Sequence, residues 1–369
     1  MRKSRERLLI VSSCISRTIG GISNTLYYLA NELSVSNDLT ILGYLFDEKI
    51  ANANILMKQN QKFFIEEHFQ RKVRIWLYSI FKDYSKYDRV LCAAWTEAIA
   101  VVFFQRKRPP YYVMVHGNEL MGERTRGIKP IHLKYRLRDY ILSHSEKLFA
   151  NSEYTKNVCK EKWPSKECVV IHPPIDITVK KPERERHDDK FIIITVSRLE
   201  KRKGIQYTVK AVARLVKKYP NLVYRIVGGG DYKDTIEKMI TACQLEKNIV
   251  LVGRVSEEEK YRELANSDLF VMPSFKTENS VEGFGVSYLE ANLMGIPVIG
   301  TYSGGIADAI IDGKTGVLID EKDVDTLEKT IEKFIKREIQ CSKEDCIDWA
   351  KEHSSKKAAE KYQKELMGI

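Results

Sequence analysis

Apolar residues in the second half of the chain alternate between short continuous runs and helical spacing. Residues 191–196 and 222–227 are runs rich in β-branched residues, and an amphipathic segment over about 205–219 lies between them. Buried parallel strands have such continuous runs, whereas the connecting helices carry one apolar face. The same pattern predicts strands over 249–252, 269–272 and 297–300, with helices over about 233–245, 257–266 and 284–294. This alternation indicates βαβ units in a doubly wound parallel sheet.

The first half begins in the same way. A strand over 8–13 is followed by a Gly20-Gly21 turn and a helix, and further strands are expected over 40–44, 89–93, 112–116 and 147–150. Residues 178–190 are charged and lack apolar anchors, which is typical of a linker. We therefore expect an α/β protein in which two Rossmann-like domains face each other across a cleft. Ligands of such sheets bind outside the carboxyl ends of the strands.

The bulk properties agree with this reading. A chain of 369 residues is long for one core, and no apolar run approaches the ~18–20 residues that cross a bilayer. The basic residues 1–7 precede only a short apolar stretch, which predicts a first strand rather than a secretory signal. Seven scattered cysteines without a C-x-x-C pair predict thiols and no metal site. We expect a cytoplasmic protein.

Charge is distributed unequally between the two halves. Residues 1–178 contain 28 Lys and Arg against 18 Asp and Glu, a net charge of +10, whereas the remainder has 33 against 32. A one-sided basic surface suggests an anionic partner, which could be a phosphorylated ligand, an acidic membrane face or nucleic acid. The basic residues follow no recognisable nucleic-acid readout module, so nucleic-acid binding is the less favoured function.

Two loops carry the residues of greatest chemical interest. Glu282 precedes the helix over 284–294 and Glu290 lies eight residues later, a span of up to ~12 Å at 1.5 Å per residue. Two carboxylates so spaced could each accept hydrogen bonds from one sugar on either side of a diphosphate. The alternative is a first-turn carboxylate and a solvated helix residue. The loop over 197–204 is basic, and its cations could neutralise a diphosphate or could simply be exposed.

Residues 281–320 resemble the signature region of the retaining glycosyltransferases of family 4, which have the GT-B fold. The resemblance implies that Glu282 contacts the donor sugar and that Glu290 contacts the ribose. It also implies that the backbone amides of Phe284, Gly285 and Val286 contact sugar and phosphate.

The same resemblance, weaker in the first half, implies further site residues. Arg198 and Lys203 stand where the family places its diphosphate-binding pair, which leaves Lys201 and Arg202 as solvated residues. The remaining implied positions are a glycine loop against the diphosphate, a histidine near the reacting carbon and acceptor, and a loop whose backbone meets the base: Gly20, Gly21, His116, Arg254 and Val255. By themselves these could be a tight turn, a structural histidine and an exposed loop.

The resemblance also implies an activity and a division of the chain. We expect a retaining transferase that moves a hexose from a UDP-, GDP- or ADP-sugar to a glycan or lipid-linked acceptor, without a cofactor. The expected parts are an acceptor-binding domain (1–177), a linker (178–190), a nucleotide-sugar-binding domain (191–350) and a C-terminal helix returning to the first domain (351–369). A nucleotide-sugar 2-epimerase or a sugar phosphorylase of the same fold is the alternative.

Metal dependence is not expected. Asp323 and Asp325 have the D-x-D spacing of metal-using glycosyltransferases, but they fall in the acidic first turn of a predicted helix over 323–336. Arg198 and Lys203 would stabilise the leaving diphosphate in place of an ion.

A membrane contact is the remaining hypothesis for the basic first half. Within 129–144, helical spacing aligns Leu133, Leu137, Tyr140 and Ile141, while Lys134, Arg136 and Arg138 lie elsewhere. The basic, aromatic segment 105–112 precedes it. Such a face could bind anionic lipid at the inner face of the cell membrane, or the helix could simply pack on its own sheet.

Overall fold

The computed structural model describes residues 5–16, 21–45, 50, 52–58, 68–104, 109–121, 130–184 and 189–368. Contacts between residues divide the chain into two compact units. The first contains Met1–Pro174 and Ser355–Ile369, and the second contains Ile175–Ser354. No helix in the described ranges is both long and apolar enough to cross a bilayer. None of the seven cysteines, all within those ranges, forms a disulfide.

The first unit contains a parallel sheet. In the described ranges its strands lie in the order β3-β2-β1-β4-β5-β6-β7. The bounds are β1 (Arg7–Ile15), β2 (Asp38–Leu45), β3 (Ala53–Lys58), β4 (Arg89–Cys92), β5 (Tyr111–Val115), β6 (Lys147–Ala150) and β7 (Cys168–Val170). The intervening helices are α1 (Gly21–Ser36), α2 (His68–Ile80), α3 (Trp95–Phe104), α4 (Pro130–Ser143) and α5 (Glu153–Lys162).

Alternate residues of β1 face opposite sides of this sheet, as the strand period of two requires. Leu9 and Val11 join the core beneath α2, α3 and α4, whereas Leu8 and Ile10 join the core beneath α1. Both faces are therefore covered by helices, which explains the continuous apolar runs in the sequence.

The second unit contains a second parallel sheet, ordered β10-β9-β8-β11-β12-β13 within the described residues. Its strands are β8 (Phe191–Val196), β9 (Leu222–Val227), β10 (Ile249–Gly253), β11 (Leu269–Val271), β12 (Val298–Thr301) and β13 (Gly316–Ile319). Its helices are α6 (Ile205–Leu215), α7 (Lys233–Ala242), α8 (Glu257–Ala265), α9 (Val286–Leu293), α10 (Val324–Ile335) and α11 (Lys343–Lys351). Cores on the two faces contain α8 and α9 on one side and α6, α7 and α10 on the other.

The predicted parallel α/β class is confirmed, and most elements agree with the sequence to within a few residues. The strands over 191–196, 222–227 and 147–150 have the predicted bounds. Three strands were not predicted: β3, β7 and β13. The first two lie at the edges of the first sheet and the third lies at an edge of the second, and β7 has only three residues. Short edge strands lack the long apolar run that marks a central strand.

The described part of residues 178–190 packs on the second unit. Val179 lies against one core of that unit, and Lys181 donates a hydrogen bond to the carbonyl of Met294. Burial lowers the pKa of Lys181 to about 8. The segment therefore has an apolar contact that its charged composition conceals.

The expected apolar stripe of α4 is wrong in part. Ile141 is buried and Leu137 is partly buried in the core, whereas Leu133 and Tyr140 are exposed. Arg138, expected on the polar side, is 2% exposed and donates to the carboxylate of Asp139 at 3.0 Å and to the carbonyl of Glu119 at 3.1 Å. Carbonyl groups that end a turn can satisfy a buried guanidinium, and helical periodicity does not reveal them.

The C-terminal helix α12 (Ser355–Met367) packs on the first unit. Tyr362 is 2% exposed, and its ring centroid lies 4.9 Å from that of Phe149 in an edge-on contact. Arg89 donates to the carbonyl of Leu366 at 2.9 Å. Residues at the end of the chain therefore complete a core that begins at its first strand.

We expect Tyr362→Ala to lower the free energy of unfolding by about 3–4 kcal/mol, because it leaves a cavity beside Phe149. Urea denaturation followed by circular dichroism measures this. Lys361→Ala changes an exposed neighbour on the same helix and should leave the midpoint almost unchanged. Equal effects of the two variants would contradict the packing described here.

Candidate active site

The predicted donor-site residues of the second unit lie in loops that follow the carboxyl ends of its strands. Arg198 and Lys203 follow β8, Arg254 follows β10, and Glu282 follows β11. Strands β8 and β11 are neighbours, and the chain leaves them in opposite directions across the sheet. This is a topological switch point, where parallel α/β sheets form ligand crevices.

At this edge of the sheet, Glu282 forms ion pairs with two cations. Its Oε2 accepts hydrogen bonds from Arg202 Nη1 at 2.9 Å and from Lys203 Nζ. The three side chains are 13%, 9% and 10% exposed. Burial alone would raise the pKa of Glu282, but the charges of Lys203 and Arg202 outweigh it and hold the pKa below its usual value. The carboxyl group is therefore ionised at neutral pH.

Arg202 was expected to be solvated, and that expectation is wrong. Its side chain bridges Glu282 and Glu200, with Nε 2.9 Å from Glu200 Oε2. The 3₁₀ turn over Lys201–Lys203 aims Arg202 and Lys203 inward and leaves Lys201 exposed. The carbonyl of Arg202 also accepts a hydrogen bond from the amide of Phe275 at 2.9 Å. No sequence motif marks this pairing, because it joins residues eighty positions apart.

Arg198 does not contact Glu282. Its side chain is 74% exposed and pairs with Glu200 at 2.7 Å. The ion pairs therefore form a chain in which Arg198, Glu200, Arg202, Glu282 and Lys203 alternate in sign. Of the two residues that end this series of ion pairs, Arg198 is exposed and Lys203 is buried.

The beginning of α9 supplies backbone donors. Gly285 caps this helix at φ 95° and ψ 60°, a left-handed conformation that glycine adopts at little cost. In the described ranges, no hydrogen bond is recorded for the amides of Val286 and Ser287, which are the first two of the helix. Helix N-termini with open amides favour anionic groups. The side chain of Phe284 is 2% exposed and belongs to the core, so only its backbone is suited to the predicted ligand contact.

Glu290 lies on α9 and is also paired. Its Oε1 accepts a hydrogen bond from Lys260 Nζ on α8 at 2.8 Å. The two side chains are 13% and 11% exposed, so Glu290 is not the solvated helix residue of the alternative interpretation. Lys260 was not singled out in the sequence.

The loop after β10 has one exposed residue and one packed residue. Arg254 is exposed and lies over Gly229, where an added Cβ would come within 2.8 Å of its Nε. Val255 is partly buried against the core. Of these two predicted residues, only Arg254 has a side chain free to approach a ligand, and Val255 can contribute its backbone.

In the first unit, His116 follows β5. Its Nε2 lies 2.9 Å from the carbonyl of Ala93, and its amide donates to the carboxylate of Glu119. A carbonyl can only accept, so Nε2 of His116 carries the proton of this hydrogen bond. Gly21 begins α1, and Gly20 lies outside the described residues. The ligand roles of His116, Gly20 and Gly21 stay predictions.

A buried carboxylate near the same strand ends was missed. Glu97, in the first turn of α3, is 3% exposed and accepts from Ser13 at 2.8 Å and Thr96 at 2.6 Å. Lys72 Nζ lies 3.8 Å from the same carboxylate. A glutamate in a first helical turn is common, so its sequence position carried no signal.

Among the described residues, no cluster of three or more His, Cys, Asp or Glu side chains is arranged to hold a metal ion. Asp323 caps α10 and accepts from the amide of Thr326 at 2.9 Å, and Asp325 pairs with Arg214 at 2.6 Å. The interpretation of this D-x-D pair as part of a helix start is confirmed.

The fold resembles that of solved glycosyltransferase structures. Anabaena HepE in complex with UDP-glucose has a TM-score of 0.72 and 17% identity, over 98% of this chain and 99% of that chain. Sucrose-phosphate synthase from Thermosynechococcus elongatus has a TM-score of 0.76 and 16% identity, over 99% of both chains. Two parallel-sheet Rossmann-like units of this kind define the GT-B class of fold.

Two family models match the sequence. Residues 19–179 match the model described as Glycosyltransferase Family 4, and residues 176–353 match the model described as Glycosyl transferases group 1. Together they span residues 19–353. The chain therefore belongs to the family of glycosyltransferases that these two models describe, one model for each half of the chain.

Curated relatives match over part of their length. A GDP-mannose-dependent alpha-(1-6)-phosphatidylinositol monomannoside mannosyltransferase of Mycolicibacterium smegmatis is 34% identical over 158 residues, 42% of this chain and 41% of that protein. The putative colanic acid biosynthesis glycosyltransferase WcaL of Escherichia coli (strain K12) is 31% identical over 143 residues, 38% of this chain and 35% of that protein. The matched segment thus spans about two fifths or less of the length of these relatives.

We expect Arg202→Met to lower the free energy of unfolding by about 3 kcal/mol, because it leaves Glu200 without a buried partner and Glu282 with one cation. Urea denaturation at pH 7 measures the loss. Lys201→Met removes the same charge from the exposed neighbour and is the matched control. A midpoint equal in both variants would mean that Arg202 is solvated after all.

Proposed function

We propose that the protein is a retaining glycosyltransferase that moves a hexose from a nucleoside-diphosphate sugar to a glycan or lipid-linked acceptor, without a metal ion. The observation that carries the proposal is the ionised Glu282, held between Arg202 and Lys203 beside the open amides of α9. A carboxylate for sugar hydroxyls and a cation for phosphate thus lie together at the switch point.

Glu282 suits a hydroxyl ligand because only one of its oxygens is engaged. Both cations bind Oε2, and within the described chain no hydrogen bond is recorded for Oε1. An ionised carboxylate oxygen accepts strongly from a sugar hydroxyl. Because the protein fixes the other oxygen, the carboxylate need not be ordered when the sugar binds.

Lys203 and the start of α9 suit the leaving diphosphate. When the bond between the anomeric carbon and the phosphate oxygen breaks, negative charge accumulates on that oxygen. A lysine and open helix amides stabilise that charge more in the transition state than in the ground state. Arg198 could add a second cation by exchanging Glu200 for phosphate, because an exposed ion pair contributes little.

Retention follows from the chemistry that the sequence resemblance implies. The acceptor oxygen bonds to the anomeric carbon on the face that the diphosphate leaves, and the acceptor proton passes to the departing phosphate oxygen. No protein nucleophile is needed for this exchange, and the role of Glu282 is to bind the donor sugar.

The donor is proposed as a class: a UDP-, GDP- or ADP-sugar, with no cofactor. GDP-mannose is named for mycobacterial relatives, and UDP-glucose is bound in the HepE structure. A transfer and hydrolysis screen across the three nucleotides, with products separated by chromatography, identifies it. Conversion of a nucleotide sugar to its epimer without any acceptor would instead indicate a 2-epimerase.

We expect Glu282→Ala to lower kcat/KM for transfer by about 10- to 100-fold, because a hydrogen bond to a charged group contributes about 1.5–3 kcal/mol. The transfer assay with the donor found in the screen measures this. Glu278→Ala, an exposed residue of the same loop, is the control. Full activity of a folded Glu282→Ala enzyme would overturn the site.

The lipid-linked acceptor and a peripheral position on the inner face of the cell membrane belong to the same proposal. Helices α2, α3 and α4 form one layer on the first sheet. Six large apolar side chains are exposed on it or directly after it: Leu77, Ile80, Phe81, Phe103, Leu133 and Tyr140. Phe81 is 83% exposed, which is costly in water without a partner.

The charge of this layer favours an anionic bilayer as the partner. The same helices and the segment after α2 also carry exposed cations, namely Arg74, Lys82, Lys86, Lys134 and Arg136. Within 68–104 and 130–143, Asp83 is the one carboxylate among exposed residues. Arg74 and Leu77 are three residues apart on α2, and Phe81 directly follows the end of that helix. Apolar residues among cations are the pattern of a surface that inserts between anionic headgroups.

We expect Leu77→Ser with Phe81→Ser to weaken binding to phosphatidylglycerol-containing vesicles at least about 10-fold, because two apolar side chains no longer insert. Vesicle sedimentation at low salt measures this, with phosphatidylcholine vesicles as the neutral comparison. Val35→Ser alters an exposed valine of α1, on the other face of the sheet, and should bind like the parent. Failure of the parent protein to bind anionic vesicles would remove the membrane part of the proposal.

A further inference from the structure

Lys260 is a buried cation that the donor-site prediction does not include. It projects from α8, and its side chain is 11% exposed. Its Nζ lies 2.8 Å from Glu290 Oε1 on α9 and 2.8 Å from Glu257 Oε2 on its own helix. Lysine is rarely buried unless it is paired. The two carboxylates therefore allow Lys260 to be buried.

Lys260 remains charged in this environment. Burial by itself lowers the pKa of Lys260, but attraction to Glu290 and Glu257 outweighs burial and raises the pKa above its usual value. The ammonium group is thus a permanent partner for Glu290. A permanent partner of fixed geometry restricts the rotamer of the carboxylate that it binds.

The contact leaves one oxygen of Glu290 for a ligand. Lys260 binds Oε1, and within the described residues no hydrogen bond is recorded for Oε2. Glu282 has the same arrangement, with its cations on Oε2 and no recorded hydrogen bond at Oε1. Each glutamate of the predicted pair is therefore anchored by one oxygen and presents the other.

We propose that Lys260 is a positioning residue that orients Glu290 to receive a ribose hydroxyl of the donor nucleotide. This inference rests on the proposed function, since it requires a nucleotide ligand. Lys260 itself touches no ligand and acts through Glu290. The competing explanation is structural: the ion pair would only tie α8 to α9.

The positioning role and the structural role predict different effects on how strongly the protein prefers a nucleotide that carries ribose hydroxyls. Calorimetry on the full chain compares UDP, GDP and ADP with their 2′,3′-dideoxy counterparts, which lack both hydroxyls. The parent protein should bind its preferred nucleoside diphosphate about 10- to 100-fold more tightly than the dideoxy form, because a carboxylate that loses its hydroxyl partner is left unsatisfied. Lys260→Met should reduce this affinity ratio to less than about 3-fold, mainly because it weakens the binding of the ribonucleotide.

Two further variants control the experiment. Arg225→Met removes another ion pair from α8, in which Arg225 Nη2 lies 2.7 Å from Glu263 Oε1, and it should preserve the ratio. Glu290→Gln should lower the ratio, and Lys260→Met in that background should lower it no further, because both act through one carboxylate.

The outcomes distinguish the two levels of the proposal. If the parent protein binds none of the three nucleoside diphosphates, the proposed function fails. If the parent discriminates and a folded Lys260→Met protein discriminates equally well, the positioning role is wrong and the pair is a structural tie. A reduced ratio in Lys260→Met but not in Arg225→Met supports the inference.

Discussion

The arrangement of the second unit at its carboxyl edge depends on one buried carboxylate and its two cations. Glu282 comes from the loop after β11, and Arg202 and Lys203 come from the turn after β8. Removing any one of the three would leave a buried charge without its full complement, which is far more costly than losing an exposed pair. The two loops are therefore held in one relative position.

Backbone contacts reinforce this charge cluster. The amide of Gly305 donates to the carbonyl of Glu282 at 2.9 Å, and an added Cβ at Gly304 would come within 2.3 Å of that carbonyl. Gly204, at φ 75°, lies so close to Pro273 that an added Cβ would be 2.0 Å from its carbonyl oxygen. The glycines thus let three loops approach closely enough for the charges to meet.

Position along the ion-pair chain determines what each charge can do. Lys203 and Arg202 are buried and cannot leave Glu282 without a replacement, whereas Arg198 is exposed and can exchange Glu200 for another anion at little cost. In the function that we propose, the fixed charges orient the donor and the exposed charge of Arg198 exchanges its partner for the diphosphate. Glu290 on α9 and Lys260 on α8 form a second buried ion pair, in which one carboxylate oxygen is again held by a cation.

Much of the fold was predictable because burial on both faces of a sheet leaves continuous apolar runs. The strands over 191–196 and 222–227 could be read directly from their residues, and the helix predicted over 284–294 begins two residues later, at Val286. The edge strands β3, β7 and β13 could not, since an edge strand needs neither a long run nor two buried faces. Arg138 was wrongly predicted on the polar side of α4, because the carbonyl of Glu119 that accepts its hydrogen bond lies outside that helix.

For the site, the sequence alone determined that Arg198, Lys203 and Glu282 stand in loops that follow strands and that Glu290 lies on the helix after one of these loops. The ligand roles of these residues are what the family resemblance implies. Local spacing is enough for these positions, because each loop follows a recognisable strand. Only the tertiary structure decided which charges meet: Arg202, expected to be solvated, lies with Lys203 beside Glu282, and Lys260 lies beside Glu290. Those pairs join residues 80 and 30 positions apart. Their distances are determined by how neighbouring strands and helices pack, which local sequence does not encode.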